Sequence, residues 1–496
     1  MNRREFLKGA AGLLAAAKAT GCRSLACGAG GSMQGFSCAP MKKIRVAFAG
    51  VGGRGTSAMY RIAKMPGCEV AAICDLRQSR MDVCNGWLKK NGYAPAREFV
   101  GPEAYKAMCD LDDVDVVYVA GSWQMHEPVG IYAVNAGKHT LVEVPAALTI
   151  DGCWAFVEGA EKSRVHCMML ENCCYGEAEL LALNLVRHGK LGRLVHGEAA
   201  YIHDLRFMNY ADAEGEPGDP KRGYWGHWRL EWNRLHKGNQ YPTHGLGPVC
   251  QYMNINRGDR LECLCSLESE QFNFEEYARK TFPAGDWHHD AKVAMGDMNS
   301  TLVRTANGRT ILLQHDVSSP RPYTRHNRIT GTLGIFEGSY FPVKSSAGAT
   351  NALEGGSVCR FAFGEKTGDR IHSFFDFDTA EKVRAEFCHP YFKKAGKIAA
   401  KVGGHGGMDF LMDLRWVYCL QNGLPMDMDV YDLATWSCLC ELTERSVRER
   451  RYVDVPDFTR GGWRTAEPLG IVDIDLSKID IEGVGAGKAG EQMNHV

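Results

Sequence analysis

The stretch KKIRVAFAGVGGRGTSAMYRIAKMPGCEVAAICD, residues 42–75, decides the fold class of this chain. Its first part, 42–50, carries the apolar run of a buried strand and ends in glycine-rich sequence. Helical periodicity follows at 56–65, and a second apolar run at 69–75 predicts another buried strand. A strand, a helix and a strand in so short a stretch predict two parallel strands joined by a helical crossover.

The crossover opens with a glycine pattern, and an acid follows its second strand. Gly50, Gly52 and Gly55 form G-x-G-x-x-G, which permits a tight turn and the approach of a pyrophosphate to the N-terminus of the helix. Asp75 lies where a carboxylate accepts hydrogen bonds from the adenosine ribose hydroxyls. Because a carboxylate repels a 2′-phosphate, the sequence favours NAD over NADP, although Arg77 nearby tempers that preference.

Strands and helices go on alternating after this stretch, which predicts an α/β fold with a doubly wound parallel sheet. The character then changes to strand-like runs, including a long strand at 193–205, a hairpin with its turn at Asn307-Gly308 and a further run at 328–340. These runs predict a second, α+β domain with a large, mostly antiparallel open sheet. The predicted division is a signal and linker at 1–40, a nucleotide-binding domain at 41–174, a substrate domain at 175–465 and a tail at 466–496.

The composition fits a globular protein of two domains. A chain of 496 residues is long for a single core, and 45% hydrophobic and 24% charged residues are ordinary shares. The formal net charge of −1 gives no electrostatic case for nucleic acid or an anionic membrane as a partner. We also expect no transmembrane span, because no apolar run is long enough for one.

The N-terminus, MNRREFLKGAAGLLAAAKATGC, is similar to a twin-arginine export signal. Arg3 and Arg4 precede a short apolar run at 10–17 and then small residues. Cys22 and Cys27 are alternative positions for a lipid anchor, although neither matches a lipobox well. We therefore expect an exported protein that is periplasmic or lipid-anchored at the cell envelope.

The nineteen cysteines form neither a C-x-x-C pair nor a finger-like array. Several, such as Cys74, Cys167 and Cys263, lie in apolar strand-like runs, where cysteine behaves as a small hydrophobe. Because the twin-arginine route carries proteins that are already folded, we expect few or no disulfides. The histidines of WHHD (287–290) and GGHGG (403–407) lack ligand spacing, so both segments are interpreted as loops and no metal is expected.

Polar and aromatic residues follow three successive strands of the predicted parallel sheet. Trp123 and His126 follow the first, Glu143 the second, and Glu171 and Asn172 the third. Ligands of such sheets bind beyond the carboxyl ends of the strands, so these side chains are expected to converge on the cofactor.

The assembled segments resemble the glucose–fructose oxidoreductase and inositol dehydrogenase (Gfo/Idh/MocA) superfamily. Its members combine an N-terminal Rossmann domain with a C-terminal α/β domain whose open sheet faces the substrate. Most members have Glu-Lys-Pro where this chain has Glu143-Val144-Pro145. The lysine commonly assists proton transfer at the oxidised hydroxyl, so the valine argues against plain dehydrogenase chemistry.

Within that superfamily, residues 42–465 resemble glycoside hydrolase family 109. The segments that carry the resemblance are EVPAALTIDGCW, HCMMLENCCY, HDLR, YPTHGLGPVCQYMNINRGDR, VGGHGGMDF and PDFTRGGW. The resemblance implies an α-N-acetylgalactosaminidase with tightly bound NAD. It implies NAD contacts from Gly53, Arg54, Asp75, Ser122, Trp123, Gln124, Met125, His126, Glu143, Val144 and Asn172. It implies substrate contacts from Tyr201, Arg229, Tyr241, Pro242, Thr243, His244 and Tyr323.

A conventional glycosidase needs two carboxylates at the scissile bond, and the sequence gives no reason to pair any two acids. The NAD-dependent exception suggests a redox-neutral route: C3 of the sugar is oxidised, C2 is deprotonated with elimination at C1, water adds, and C3 is reduced again. Such a cycle suits an exported enzyme that has no access to the cytoplasmic nicotinamide pool.

The stretch YPTHGLGPVCQ (241–251) suits either a tight turn with a buried histidine or an active-site loop, and the family resemblance favours the loop. His244 is then the first candidate for acid/base work because imidazole titrates near neutral pH, and Tyr241 is expected to share the proton transfer. Its glycines and Pro248 are expected to direct the loop.

Two other functional classes stay open. One is an exported NAD(P)-dependent sugar oxidoreductase of the glucose–fructose type. The other is a non-catalytic glycan-binding protein, against which the intact glycine pattern and Asp75 argue. The expected substrate is a glycan or glycoside with terminal α-GalNAc, and the open sheet leaves a homo-oligomer as an option.

Overall fold

The structure is a computed structural model that describes residues 31–211, 223–338, 359–481 and 483–486. The predicted signal and the two lipidation positions, Cys22 and Cys27, lie outside the described residues. Export and lipid anchoring therefore stay predictions. None of the described helices is long and apolar enough to cross a membrane.

Residues 44–169 form a parallel sheet of six strands in the order β3-β2-β1-β4-β5-β6. Both faces carry helices, so strands such as IRVAFA and VVYV are almost entirely buried and rich in β-branched residues. The elements are β1 (Ile44–Ala49), α1 (Gly53–Ala63), β2 (Cys68–Asp75), α2 (Gln78–Lys90), β3 (Arg97–Val100), α3 (Ala104–Cys109), β4 (Val116–Val119), α4 (Trp123–Asn135), β5 (His139–Val142), α5 (Ile150–Ser163) and β6 (Cys167–Met169).

The second sheet has eight strands in the order β13-β12-β11-β7-β10-β9-β8-β14, all antiparallel except the pair β7 and β10. Its strands are β7 (Leu194–Ile202), β8 (Leu261–Glu268), β9 (Asn299–Thr305), β10 (Thr310–Asp316), β11 (Arg328–Gly331), β12 (Gly334–Glu337), β13 (Arg360–Phe363) and β14 (Val453–Asp454). The helices around it are α6 (Glu177–Arg187), α7 (Arg206–Tyr210), α8 (Trp228–Leu235), α9 (Thr243–Tyr252), α10 (Asn273–Thr281), α11 (Trp287–Asp290), α12 (Phe377–Phe387), α13 (Pro390–Val402), α14 (Met408–Asn422), α15 (Val430–Ser437) and α16 (Leu439–Glu449). The predicted fold class is confirmed.

Helices from the end of the chain return to the first sheet. α14 packs against α1, and α15 packs against α5 and β6. Meanwhile α9 packs on β7 of the second sheet. The carboxyl ends of the parallel strands are therefore faced by α9, by α14 and by the segment just before α14.

The prediction that 241–251 is a loop is wrong, because most of it forms α9. Its glycines allow close packing: a Cβ at Gly245 would lie 2.3 Å from the backbone N of Ala200, and one at Gly247 would lie 2.9 Å from Cγ of Glu171. Pro248 lies within the helix and does not direct a loop. His244 accordingly sits in the first turn of a helix, where its position is more rigid than on a loop.

The strand-like run predicted at 328–340 forms a hairpin as far as the structure describes it. β11 and β12 pair antiparallel, with Ile329 opposite Phe336. A Cβ at Gly334 would lie 2.3 Å from the carbonyl oxygen of Ala362, so the close approach of β12 and β13 requires glycine there. All seventeen cysteines in the described ranges are free thiols.

Candidate active site

The glycine pattern forms a tight turn between β1 and α1. Gly50 has φ +89°, and a Cβ on it would lie 2.6 Å from the backbone N of Gly121. A Cβ on Gly55 would lie 1.9 Å from the carbonyl oxygen of Gly50. Gly52 and Gly53, by contrast, face open space, at the point where α1 begins without a side-chain cap. An open glycine turn at an uncapped helix N-terminus fits the pyrophosphate of a dinucleotide.

Asp75 ends β2 beside this turn. Its Oδ2 accepts from the backbone N–H of Val51 at 2.9 Å, and its Oδ1 accepts from the backbone N–H of Arg77 at 3.1 Å. These bonds fix the carboxylate, and each oxygen keeps a lone pair for a ribose hydroxyl. The geometry fits the position predicted for the adenosine ribose.

Arg54, on the first turn of α1, lies between two carboxylates. Its Nε donates to Glu143 at 2.7 Å and its Nη1 to Asp409 of α14 at 2.5 Å. The Tyr118 hydroxyl also donates to Glu143, at 3.1 Å. Burial alone would raise the pKa of Asp409, but Arg54, His405 and other neighbours hold it well below its usual value. Arg54 thereby links the glycine turn to α14.

The second oxygen of Asp409 accepts from the amide of Asn172 at 2.6 Å. His405 Nδ1 lies 3.0 Å from Asp409 Oδ2 and 3.3 Å from Arg54 Nη1. His405 is thus part of the site, in the GGHGG segment that the sequence analysis interpreted as a loop. The sequence feature that could have identified His405 is the glycine-rich segment VGGHGGMD around it. Every residue at 403–407 has positive φ, a backbone conformation that only a glycine-rich segment adopts without strain.

A buried carboxylate, an imidazole and a phenol form a chain at the start of α9. His244 Nδ1 lies 2.8 Å from Glu171 Oε1, and its Nε2 lies 3.3 Å from the hydroxyl of Tyr241. Because Glu171 is ionised and accepts only, Nδ1 carries the proton and Nε2 is left as an acceptor. Burial alone would raise the pKa of Glu171, but His244 and hydrogen bonds hold it below its usual value. Burial raises the pKa of Tyr241 well above its usual value.

Glu171 and His244 also lie close to Cys173, and ligand atoms of the three fall within 4.8 Å of one another. Hydrogen bonds account for the arrangement, since Glu171 accepts from both His244 and the backbone N–H of Cys173. Burial raises the pKa of the Cys173 thiol well above its usual value, so the thiol stays protonated. The geometry therefore gives no separate reason to place a metal there.

Arg229 lies in a box of aromatic rings next to this chain. Its guanidinium carbon is 4.6 Å from the ring centre of Trp123, 5.0 Å from that of Tyr241 and 6.0 Å from that of Tyr201. Nη1 donates to the Tyr224 hydroxyl at 2.7 Å. Nε and Nη2 are buried and have no hydrogen-bond partner among the described residues. Buried donors without partners are costly, so this guanidinium is suited to a ligand oxygen.

Tyr201 and Tyr323 form the adjoining wall. The Tyr201 hydroxyl bonds to His203 Nδ1 at 3.0 Å, and its ring lies 5.9 Å from the ring of Tyr323. Arg325 donates to the Tyr323 hydroxyl at 3.1 Å. Burial and Arg229 lower the pKa of His203 to about 4, so this imidazole is neutral near neutral pH. The wall is therefore aromatic and uncharged.

The structure separates the other residues predicted to contact the cofactor or the substrate into two groups. His126 is buried, with its ring nitrogens 2.7 Å from the carbonyl oxygen of Pro145 and 3.1 Å from that of Gly121, so it supports the strand ends. Val144 is also buried, next to Glu143. The remaining predicted residues stand at helix starts: Ser122, Trp123, Gln124 and Met125 at α4, and Pro242 and Thr243 at α9. Their assignment as ligand contacts stays a prediction.

Comparison with known proteins gives two adjoining matches. Residues 44–171 match the oxidoreductase family with an NAD-binding Rossmann fold, and residues 175–465 match the glycosyl hydrolase 109 C-terminal domain. A glycosyl hydrolase family 109 protein of Shewanella pealeana is 42% identical over 95% of this chain and 99% of its own length. The chain belongs to glycosyl hydrolase family 109. A family member from Bacteroides fragilis, named alpha-N-acetylgalactosaminidase, is 41% identical over 87% of this chain and 95% of its own length.

Solved structures place the fold of this family 109 member among oxidoreductases. Levoglucosan dehydrogenase in complex with NADH and levoglucosan aligns with a TM-score of 0.58 and 16% identity, over 84% of this chain and all of the other. An aldose-aldose oxidoreductase from Caulobacter crescentus aligns with a TM-score of 0.56 and 18% identity, over 83% of this chain and all of the other. At these identities the likeness shows the fold alone.

Two glycines of the turn give contrasting tests of the cofactor site. Gly55→Ala is expected to destabilise the fold, because its Cβ would collide with the Gly50 carbonyl oxygen. Gly52→Ala meets open space and is expected to leave the melting temperature within about 1–2 °C, while the new methyl lowers the nucleotide content of the purified protein severalfold. Thermal unfolding and nucleotide quantification after denaturation separate the two effects. Wild-type nucleotide content in Gly52→Ala would show that the open face of the turn is not the cofactor side.

Proposed function

We propose that this family 109 protein is an α-N-acetylgalactosaminidase that works by the NAD-dependent, redox-neutral route. The observation that carries the proposal is the Glu171–His244–Tyr241 chain next to Arg229, at the carboxyl ends of the parallel strands. The chain of three side chains can transfer protons, and the Arg229 guanidinium can anchor a ligand oxygen. Both lie on the side of the glycine turn between β1 and α1. The name of the Bacteroides fragilis relative supports the choice of substrate.

The residues of the first sheet fit a resident NAD. The turn at Gly52 and Gly53 would take the pyrophosphate, Asp75 the adenosine ribose, and the ends of β4 to β6 would line the nicotinamide side. When bound, NAD supplies reversible hydride acceptance, which a redox-neutral glycoside hydrolysis requires. Arg54 is held by Glu143 and Asp409, so its orientation beside the turn is set before any ligand binds.

Proton transfer falls to the second domain. Glu171 holds His244 with Nδ1 protonated, which leaves Nε2 free to receive a proton. Tyr241 donates towards that nitrogen, and its raised pKa keeps the phenol protonated at neutral pH. The pair can therefore act as a relay: the Tyr241 oxygen takes a proton from the sugar as its own proton passes to His244 Nε2, and the reverse transfer returns a proton to a departing oxygen. A sugar carbon acid and a departing alkoxide need these two operations.

Val144 explains why the second domain must do this work. The strand end at Glu143 carries a buried valine next, so no ammonium group stands at the position where the superfamily commonly has lysine. A proton acceptor for the oxidised hydroxyl then has to come from another element. Tyr241 and His244, at the start of α9, are the groups in the described site that offer one.

The test is hydrolysis of p-nitrophenyl α-GalNAc by the purified holoenzyme without added nicotinamide. We expect release of p-nitrophenol, near-stoichiometric NAD on denaturation, and deuterium at C2 of the released sugar when the reaction runs in deuterated water. Release without C2 exchange would contradict the elimination route. A sugar oxidoreductase would release no p-nitrophenol and would reduce a second sugar at the expense of the first.

A further inference from the structure

Two consecutive residues at the start of a short 3₁₀ turn, Trp225–His227, face two different parts of the site. The Tyr224 hydroxyl accepts from Nη1 of Arg229 at 2.7 Å, on the sugar side. The Trp225 ring lies under the guanidinium of Arg77, with 4.8 Å between the guanidinium carbon and the ring centre. Arg77 belongs to the first sheet, so this contact joins the two parts of the molecule.

The contact between Arg77 and Trp225 lies close to the carboxylate that fits the adenosine ribose. The backbone N–H of Arg77 donates to Oδ1 of Asp75, which is that carboxylate. The adenine is bonded to that ribose, so it has to lie close to the end of β2 and to the residues that follow it. Arg77 and Trp225 are the flat cationic and aromatic groups that the structure brings together there.

The Trp225 ring has exposed surface on which a further flat group can stack. Trp225 is 41% exposed, although a guanidinium already covers one face of its ring. Single exposed aromatic side chains are common on protein surfaces, so the place of Trp225 beside Arg77, and not its exposure alone, points to a ligand. Purine bases stack on tryptophan rings and on arginine guanidinium planes without regard to base identity. The chemistry therefore matches adenine better than it matches a sugar or a phosphate.

We propose that Trp225 is a cofactor-retaining residue, which together with Arg77 forms the seat of the NAD adenine. The inference rests on the proposed function for the identity of the cofactor. It assigns to the second domain a part in holding the nucleotide. It also means that one turn carries a cofactor contact at Trp225 and a sugar-site contact at Tyr224, so loading of the cofactor orders the sugar site.

The neighbouring residues offer matched controls. Trp225→Ala removes the adenine seat, and Trp225→Phe keeps a smaller ring. Tyr224→Phe removes only the hydroxyl that meets Arg229, so it is expected to raise KM for the glycoside and to leave NAD retention unchanged. Trp287→Ala removes another exposed tryptophan of the same domain, whose ring contacts His227 and His288.

The experiment measures NAD release from the holoenzyme. Each protein is diluted into an NAD-cleaving glycohydrolase that destroys released NAD, and the NAD still bound is quantified over time. Loss of one base-stacking contact is expected to speed release by about tenfold or more in Trp225→Ala, with Trp225→Phe in between. Tyr224→Phe and Trp287→Ala are expected to release NAD at the wild-type rate.

Three outcomes decide the matter. Wild-type release from both Trp225 variants overturns the inference, even if their melting temperatures fall, because the contact would then only join the domains. If Trp225→Ala does not fold, faster release from Trp225→Phe still supports it and wild-type release overturns it. If the wild-type protein carries no nucleotide, the proposed function fails, and equal Kd values for added NAD in wild type and Trp225→Phe would overturn the inference separately.

Discussion

His244→Ala is expected to lower kcat for α-GalNAc hydrolysis by about 10³-fold, while the protein keeps its NAD. General acid–base groups contribute about 10²–10⁴-fold, and His244 Nε2 is the acceptor in the Glu171–His244–Tyr241 chain. The proposed nucleotide contacts lie on other elements, so cofactor retention is not expected to depend on this imidazole. Steady-state kinetics and nucleotide quantification on the same preparation measure both effects.

A conservative variant separates the loss of proton transfer from a loss of stability. His244→Ala leaves the buried carboxylate of Glu171 without its imidazole, so part of its effect could come from lost stability. His244→Asn keeps a donor near the position of Nδ1 but has no basic nitrogen. It is expected to melt closer to wild type and to be as inactive as His244→Ala. Activity within about tenfold of wild type in His244→Asn would show that Nε2 does not carry the proton.

The pH dependence of stability expected for the Glu171–His244 pair follows from the lowered pKa of Glu171. Burial by itself raises the pKa of Glu171, and His244 is the main group that brings it below its usual value. A depressed pKa stabilises the fold above the unfolded value of about 4.3, and this stabilisation is lost as pH falls through the folded pKa. His244→Ala removes the lowering contact, so its stability deficit relative to wild type is expected above about pH 5 and to shrink in acid.

The first sheet was predictable because its signals are local. The glycine pattern, the acid at Asp75 and the apolar strands all lie within short stretches whose periodicity reports burial on both faces. Parallel pairing then follows from the alternation of strands and helices. The open second sheet was predictable as a class for the same reason, since hairpin turns such as Asn307-Gly308 are also local.

Contacts between distant parts of the chain were not predictable in this way. Glu171 and His244 are 73 positions apart, and Arg54 and Asp409 are 355 apart. The sequence named most of these residues singly but paired none of them, because a single chain carries no record of which charges meet. Asp409 lies in the first turn of α14, and its place at the glycine turn depends on α14 packing against α1.

Helix α9 could not be predicted from the sequence for a different reason, which is that packing outweighs intrinsic helix preference there. It contains three helix-disfavouring residues, Gly245, Gly247 and Pro248. The packing outweighs that preference, because any larger side chain at either glycine would collide with β7 or with Glu171. The glycines therefore serve a close helix–sheet contact, which brings His244 within hydrogen-bond distance of the strand ends.

Asp409→Asn is expected to cost about 3–5 kcal/mol of unfolding free energy and to lower the nucleotide content of the purified protein. Asp409 is buried and pairs with Arg54 at 2.5 Å and with Arg61 at 3.6 Å. Removing this carboxylate leaves Arg54 with Glu143 alone and Arg61 with Asp413 alone, so two cations of the buried cluster lose part of their compensation, which accounts for the size of the effect. Arg54 would also lose the anchor that orients it beside the glycine turn.

The control is Asp113→Asn, which breaks an exposed pair with Arg97 and is expected to leave the free energy of unfolding close to that of wild type. The Asp409 effect also has a defined pH window. Its pKa is depressed in the folded state, so its contribution is complete above the unfolded value of about 3.9 and is lost as pH falls further. Denaturant unfolding at pH 7 should therefore separate wild type from Asp409→Asn, and the gap should narrow below about pH 4. A gap of less than 1 kcal/mol at pH 7, with full nucleotide content, would mean that Glu143 alone holds Arg54 in place.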